Sequence, residues 1–445
     1  MNSNSEIKLK LNFDKYLKII DETHISQDSG KVIEVTGLLI KGYLPGACVG
    51  SICAIHSSQS NKELLAEVVG FKDRQVLMMA LNDMRGVSLG SKITLQKTVA
   101  VVKVSSDLLG RSIDGLGNPL DGLPAPEIFS EMPLYADVVN PLHRIPIRTA
   151  LDVGVRAINS AITVGCGQRI AIMAGSGVGK SVLMGMMAKQ TEADVNVIAL
   201  IGERGREVRE FIENEMGPEG MKKSVIVCVT SDQSPLLRMR GAYVATAIAE
   251  YFSGQGKKVL LVMDSVTRFA MALREIGLSI GEPPTSRGYT PSVFSTLPKL
   301  LERAGNFENG GSITGFYTTL VEGDDMNDPI GDTVRSIVDG HIVLSRSLAH
   351  KGHYPAIDIL QSASRVMSSV ATDEQKKLNL KVRDVLATYK EAEDLINIGA
   401  YKSGANPKID RSIKLIEPIN NFLKQTTDDH SNINLGTRQL ANIIG

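Results

Sequence analysis

The sequence has no tryptophan, and its aromatic residues amount to 4% of 445. Proteins that hold single-stranded nucleic acid stack bases on repeated rings, so this composition speaks against that class. A surplus of either charge is also missing, because 49 Lys and Arg balance 49 Asp and Glu. Readers of a phosphate backbone depend on clustered cations, so no nucleic-acid partner is expected. Cysteine is scarce: Cys48, Cys53, Cys166 and Cys228 are spaced too irregularly for a zinc site and are too few to staple so long a chain, which suits a reducing cytosol. The opening MNSNSEIKLKLNF lacks the apolar stretch of a secretory signal. No apolar run of about eighteen residues occurs, so neither secretion by that route nor a membrane-spanning helix is expected. The seven histidines form no HExxH pattern, and His350 and His353 have no carboxylates in step with them, so a histidine metal centre is not expected. No internal repeat points to a solenoid.

What remains is an ordinary globular composition, 43% hydrophobic and 22% charged, long enough for roughly three domains of about 150 residues. Residues 1–26 have spacing that suits a strand or a helix and are read as an N-terminal docking segment. Over residues 27–98, short β-branched runs alternate with Gly, Asn, Asp and Ser, the rhythm of a small β-barrel. A Gly- and Pro-punctuated stretch from Ala100 to Thr149 reads as a connector laid over the next domain. Apolar runs at 169–173, 195–201, 225–229, 259–264 and 312–320 then alternate with helical stretches such as 181–190, 206–214, 236–252 and 292–304. Continuous apolar strands separated by helices predict a mostly parallel α/β sheet covered on both faces. The α/β domain is predicted over residues 99–370, and apolar residues at three and four spacing predict a helical C-terminal domain over 371–445.

The strand RIAIM runs into Ala174-Gly175-Ser176-Gly177-Val178-Gly179-Lys180-Ser181 and then into a helical pattern. That order is a P-loop: glycines let backbone N–H groups converge on phosphates at a helix N-terminus, Lys180 reaches the β- and γ-phosphates, and Ser181 can ligate Mg²⁺. Ala174 stands where the motif usually has glycine, a substitution that matters only if the position needs positive φ. Asp264 closes the apolar run VLLVMD at the expected ligand crevice and suits support of the metal, although an Asp ending a strand is by itself more often a turn or cap residue. Glu203 follows the run VNVIALI, where a carboxylate can orient the attacking water or simply begin a helix.

Taken together, GSGVGKS, GERGREV, VMDSVTR, PPTSRGYTPSVFSTLPKLLERAG, the acidic loop from Glu322 to Pro329 and HIVLSRSLAHKGHYPAIDILQSASRVM resemble the ATPases of bacterial type III protein export. These are relatives of the catalytic β subunit of rotary ATP synthases. The similarity spans residues 27 to 445; NPLHRIPI and EPPTSRGYTPSVF are most similar to flagellum-specific members, with virulence injectisome members second. The resemblance implies a RecA-like P-loop ATPase core that takes ATP and Mg²⁺, with a small N-terminal β-barrel and a C-terminal helical domain. It implies that Glu203 is the catalytic glutamate, with Arg204 beside it near the γ-phosphate. Arg365 would be the arginine finger lent to an adjacent subunit, and Tyr354, with Tyr401 opposite, would lie against adenine.

A single chain with a P-loop, a catalytic-type Glu and a finger-type Arg suits a one-component ring closing head to tail, with six the family's number. Loops 283–291 and 324–328 would then face a central channel occupied by a stalk-like protein or an exported chain. The family further implies a stator-like regulator at the N-terminal segment and contacts with chaperones, exported proteins and a membrane export gate. It places the ring in the cytoplasm, held at the inner face of the bacterial membrane only through partners. A rotary synthase subunit, a ring RNA helicase and a non-catalytic nucleotide-binding subunit are the alternatives. The charge balance and few aromatics weigh against the helicase, and the presence of Glu203 weighs against a non-catalytic role.

Overall fold

The computed structural model describes residues 28–56, 63–308, 310–321 and 328–445; the expected docking segment over 1–26 lies outside them. Two compact units divide the chain, the first ending at Val99 and the second beginning at Ala100.

Six strands build the first unit: β1 (Ser29–Thr36), β2 (Leu39–Tyr43), β3 (Ile52–His56), β4 (Glu63–Lys72), β5 (Gln75–Ala80) and β6 (Lys92–Lys97). They pair antiparallel in the order β1-β2-β5-β4-β3-β6, and β6 returns to β1 to close a barrel with no free edge. Val32, Ile40, Cys53, Ile55, Val68, Met78 and Ile93 fill it. So small a barrel has little interior space, and Gly42 is where that limit falls: a Cβ there would sit 2.5 Å from Ile93 Cδ1.

In the second unit the connector is more than a strap. Its strand β7 (Val101–Val104) pairs antiparallel with β9 (Ser130–Pro133), while β8 (Ser112–Ile113) joins the main sheet as a parallel edge strand. The main strands are β10 (Arg169–Ala174), β11 (Val195–Glu203), β12 (Ser224–Thr230), β13 (Lys258–Asp264), β15 (Ser312–Leu320), β16 (Gly340–Leu344) and β17 (Ile357–Ser364), with β14 (Gly305–Asn306) paired to β15. Their order is β17-β16-β10-β15-β13-β11-β12-β8, parallel except that β17 runs against β16. All five expected strands are present, each within a few residues of its predicted span. The stretch expected as one helix over 206–214 is a helix over Gly205–Glu210 that widens into a π-helical turn over Phe211–Met216.

Because successive side chains on a strand alternate faces, each sheet face collects one parity of residue. Ile170, Ile172, Ile198, Leu200, Leu260, Val262, Phe316 and Ile342 share a core with the helix Lys180–Gln190 and the C-terminal helices. The helices Pro235–Gly254 and Val266–Ser279 also pack on the sheet, against β11 and its neighbours. The C-terminal helices Asp373–Asn397, Pro407–Leu423 and Ile433–Ile444 contribute Leu378, Val382, Ile419, Phe422 and Leu440 to that same core, so they fold as part of the ATPase unit. Gln425 adds polar ties, donating from Nε2 to the Gly154 carbonyl at 2.8 Å and accepting at Oε1 from the Arg156 N–H at 2.8 Å.

Candidate active site

β10 delivers the chain from the buried sheet to the loop 175–179, and the helix Lys180–Gln190 starts immediately after it. Gly177 and Gly179 take φ of +77° and +87°, a conformation in which any Cβ is strained. Ala174 is buried at the end of β10 and is absent from the positive-φ residues, so its replacement of the usual glycine costs nothing. Val178 is buried and anchors the loop from below, while Ser176, Gly177 and Ser181 are exposed. No side chain caps the helix at Gly179. Its first N–H groups, together with the positive end of the helix dipole, are therefore available to an anion.

Three charges converge beside this loop. The Lys180 Nζ lies 2.5 Å from Asp264 Oδ1 and 3.8 Å from Glu203 Oε1. Asp264 ends β13 and Glu203 ends the neighbouring β11, and parallel pairing of Leu200 with Asp264 sets the two carboxylates on the same sheet edge. Thr318, on β15 to the other side, donates from Oγ1 to Asp264 Oδ1 at 2.6 Å. Glu203 is poorly solvated, and burial raises its pKa to about 7; Asp264 and Glu207 push the same way and Lys180 opposes them. A carboxyl poised near neutrality at a ligand crevice suits proton transfer from water.

On the outer side of the loop, Gly179, Val182, Leu183, Met186, Tyr354 and Gln425 line a cleft of about 520 Å³. Tyr354 is 46% exposed, and its ring lies 3.5 Å from the point a Cβ on Gly179 would occupy. A phosphate-binding loop that opens onto an apolar cleft bordered by a half-exposed aromatic ring has the layout of a nucleotide site.

Family models match in order along the chain: the ATP synthase alpha/beta family β-barrel domain over 25–95, its nucleotide-binding domain over 154–364, and the T3SS EscN ATPase C-terminal domain over 371–442. The chain is 52% identical to the flagellum-specific ATP synthase of Bacillus subtilis, across 96% of this chain and 97% of that one. It is 48% identical to the type 3 secretion system ATPase of Xanthomonas euvesicatoria, with 90% and 91% covered. It also superposes on the assembled ATPase EscN of enteropathogenic E. coli, solved with its central stalk EscO, at a TM-score of 0.87 and 46% identity over 94% of this chain and 100% of that one. The chain belongs to the ATP synthase alpha/beta family. Within it, the relatives are flagellum-specific ATP synthases and type 3 secretion system ATPases.

In this ATP synthase alpha/beta family member, not every expected site residue reaches the P-loop. Lys180, Ser181, Glu203 and Asp264 gather there, with Tyr354 at the cleft. Arg204 turns outward: its side chain is 80% exposed and pairs with Glu207 at 3.2 Å. Tyr401 does not line the cleft; its hydroxyl donates to Asp410 Oδ1 and accepts from the Asn406 N–H, holding the turn between two C-terminal helices. Arg365 follows β17 at the opposite end of the sheet. There Gly340 pairs with Ser364, whereas Ala174, at the P-loop end, pairs with Leu344. Arg365, one residue past Ser364, is level with Asp339, and the five strand steps of about 3.3 Å from Asp339 to Leu344 span about 17 Å, so Arg365 cannot serve the P-loop of its own chain. It is exposed, and its guanidinium has no hydrogen bond or ion pair among the described residues.

Of the two expected channel loops, 283–291 contains a short turn over Ser286–Gly288, and Arg287 reaches Asp328 at 3.4 Å. The second loop is described only from Asp328, which caps the helix Pro329–Ile337; positions 324–327 lie outside the described residues. Sequence reasoning missed Thr318 and Gln425. A hydroxyl inside an apolar strand and a lone Gln after a helix carry no local pattern, so only the fold brings them to the site.

Proposed function

We propose that the chain hydrolyses ATP to ADP and phosphate to energise type III export. The convergence of Lys180, Asp264 and Glu203 beside an uncapped helix N-terminus is the observation that carries this reading. In it, the N–H groups of Gly175–Ser181 hold the β- and γ-phosphates and Lys180 leaves Asp264 to bridge them. Tyr354 lies against adenine in the cleft. Glu203, as its anion, accepts hydrogen from the water that attacks the γ-phosphorus in line with the leaving ADP oxygen. Among the described residues no three His, Cys, Asp or Glu cluster around a metal. The donors that are present, one hydroxyl at Ser181 and one carboxylate at Asp264 with phosphate oxygens and water, fit Mg²⁺, which dehydrates reluctantly and binds few protein groups. When bound there it would neutralise charge on the phosphates.

Arg365, too far from its own P-loop, completes the site of an adjacent copy. That arrangement requires a head-to-tail ring, taken as a hexamer and supported by the EscN relative, solved as an assembly. A central stalk like that of EscN would meet loops 283–291 and 324–328. The boundaries at 26/27, 98/99 and 370/371 then separate a regulator-binding segment, the barrel, the ATPase core and a helical region that meets chaperones and exported proteins. Among the described residues no helix is long and apolar enough to cross a membrane; on this reading the ring is cytoplasmic and held at the inner face of the membrane through partners, the export gate among them. Flagellar export is the first reading, from the similarity of NPLHRIPI and EPPTSRGYTPSVF to flagellum-specific members, and injectisome secretion is the second. The test is steady-state phosphate release with Mg²⁺. Lys180→Ala and Glu203→Gln should each lower turnover by about a hundredfold or more at an unchanged melting temperature. Near-normal turnover in either would overturn the assignment.

A further inference from the structure

Arg365 needs a fixed backbone if it is to reach across a subunit boundary, and the residues around it supply one. Its N–H donates to the Asp339 carbonyl at 2.8 Å. The Asp339 carboxylate is in turn held at both oxygens by Arg169, which donates from N and Nε to Oδ2 at 3.1 Å and from Nη2 to Oδ1 at 3.1 Å. Gln168 Nε2 donates to the Asp339 carbonyl at 3.1 Å and to Ser364 Oγ at 3.1 Å, and Ser364 Oγ donates to the Thr163 carbonyl at 3.1 Å. Gly340 permits this approach, since a Cβ there would lie 2.6 Å from the Ala363 carbonyl oxygen.

We propose that Asp339 and Arg169, with Ser364, are positioning residues for Arg365, a clamp that aims the guanidinium at the neighbouring subunit's nucleotide. The inference rests on the reading of Arg365 as a residue lent to an adjacent copy. A bidentate guanidinium–carboxylate pair fixes direction as well as distance, which a single hydrogen bond does not. The Asp339 and Arg169 side chains are 24% and 15% exposed, so the pair is only weakly screened by solvent. Displacements of about 1 Å at a reacting centre cost about a hundredfold in rate, so a loosened clamp should be visible in turnover. The same Arg169 begins β10, the strand that ends in this subunit's own P-loop. The clamp under the lent finger and the loop that is kept therefore sit at the two ends of one six-residue strand.

Mixed assemblies isolate the finger from everything else. Lys180→Ala subunits have no working P-loop and Arg365→Ala subunits have no finger, so activity in their mixture comes only from Arg365 lent by the first kind. In a randomly mixed closed ring about a quarter of interfaces combine the two intact halves. Replacing the donor by Lys180→Ala/Asp339→Asn loosens how that finger is held, and comparing its melting temperature and assembly with those of Lys180→Ala separates this from loss of the fold. We expect rescued kcat to fall about tenfold with KM for ATP unchanged. A Lys180→Ala/Ser364→Ala donor, which loses only a hydroxyl, should give a smaller fall in the same direction and serves where Asp339→Asn does not assemble. No rescue in the first mixture would sink the reading of Arg365 itself. Rescue in the first mixture that persists undiminished with the clamp-altered donors would overturn the clamp and leave that reading standing.

Discussion

The two edges of the central parallel sheet are built on opposite principles. At the C-terminal edge backbone hydrogen-bonding capacity is left open around a single ion pair: the helix at Gly179 is uncapped, Gly177 faces space that a Cβ would not fill, and Lys180, paired with Asp264 at 2.5 Å, is the cation a bound phosphate would share. At the N-terminal edge charges are paired: Arg169 with Asp339 and Glu302, Arg303 with Glu250, and Arg144 with the Ala304 carbonyl. Paired, partly buried charges make a stiff frame, whereas open ones await a ligand. Arg365 is the exception at the paired edge, an exposed cation without a partner among the described residues. On the proposed reading the contrast has a purpose, because each subunit keeps the receptive half of one site and presents a rigid half to the next.

Substituting at the paired edge should break this contrast most sharply. Arg365→Ala should lower kcat about a thousandfold, the lower end of what such arginines supply, while its thermal unfolding matches the parent. Arg169→Ala, two strands away on β10, should instead lower the unfolding free energy by about 2 kcal/mol, because it leaves the partly buried Asp339 carboxylate without its cation. Calorimetry and phosphate release on both variants check the pair. Equal destabilisation by the two would erase the distinction between a presented and a framing arginine.

At the open edge the sharper instrument is pH. Burial and Asp264 raise the Glu203 carboxyl to about 7, so below that pH it is protonated and, on the proposed reading, the site lacks its base. The logarithm of kcat/KM should therefore rise with unit slope as pH climbs toward about 7 and level off above it, about a tenfold change per pH unit on the acid limb. Glu203→Gln should flatten that limb, and Arg365→Ala should keep its midpoint at a lower rate. A limb that survives Glu203→Gln would assign the titration to another group.

Why one edge was readable in advance and the other was not follows from the range of the interactions. Glycines, a lysine and a hydroxyl within eight residues, preceded by an apolar run, announce the phosphate loop from local sequence alone. The strands ending at Glu203 and Asp264 were equally legible as apolar runs closed by carboxylates. The paired edge depends on contacts that no window contains, as where Gln168 reaches Ser364 across 196 positions, and at the cleft Gln425 is likewise placed by reaching Gly154 across 271. Edge strand β8 was hidden for the same reason, being two residues of a Gly- and Pro-rich stretch that become a strand only by pairing with β12. Resemblance supplied Arg365 as a finger, but its place about 17 Å from its own P-loop comes from strand pairing.

The smallest expected effects lie at the cleft, where the two tyrosines expected to face each other part company. Tyr354 covers Gly179 and borders the cleft, whereas Tyr401 is engaged with Asp410 and Asn406. Stacking on an aromatic ring contributes about 1–3 kcal/mol per base, so Tyr354→Ala should raise KM for ATP by about tenfold with kcat retained. Tyr401→Phe removes only the hydroxyl and should leave KM unchanged, with a slight drop in melting temperature as the turn it holds loosens. The two KM values in one assay decide the matter. A raised KM in Tyr401→Phe would bring the C-terminal turn to the nucleotide in the working assembly, and an unchanged KM in Tyr354→Ala would remove the ring from recognition and leave the open edge to grip the phosphates alone.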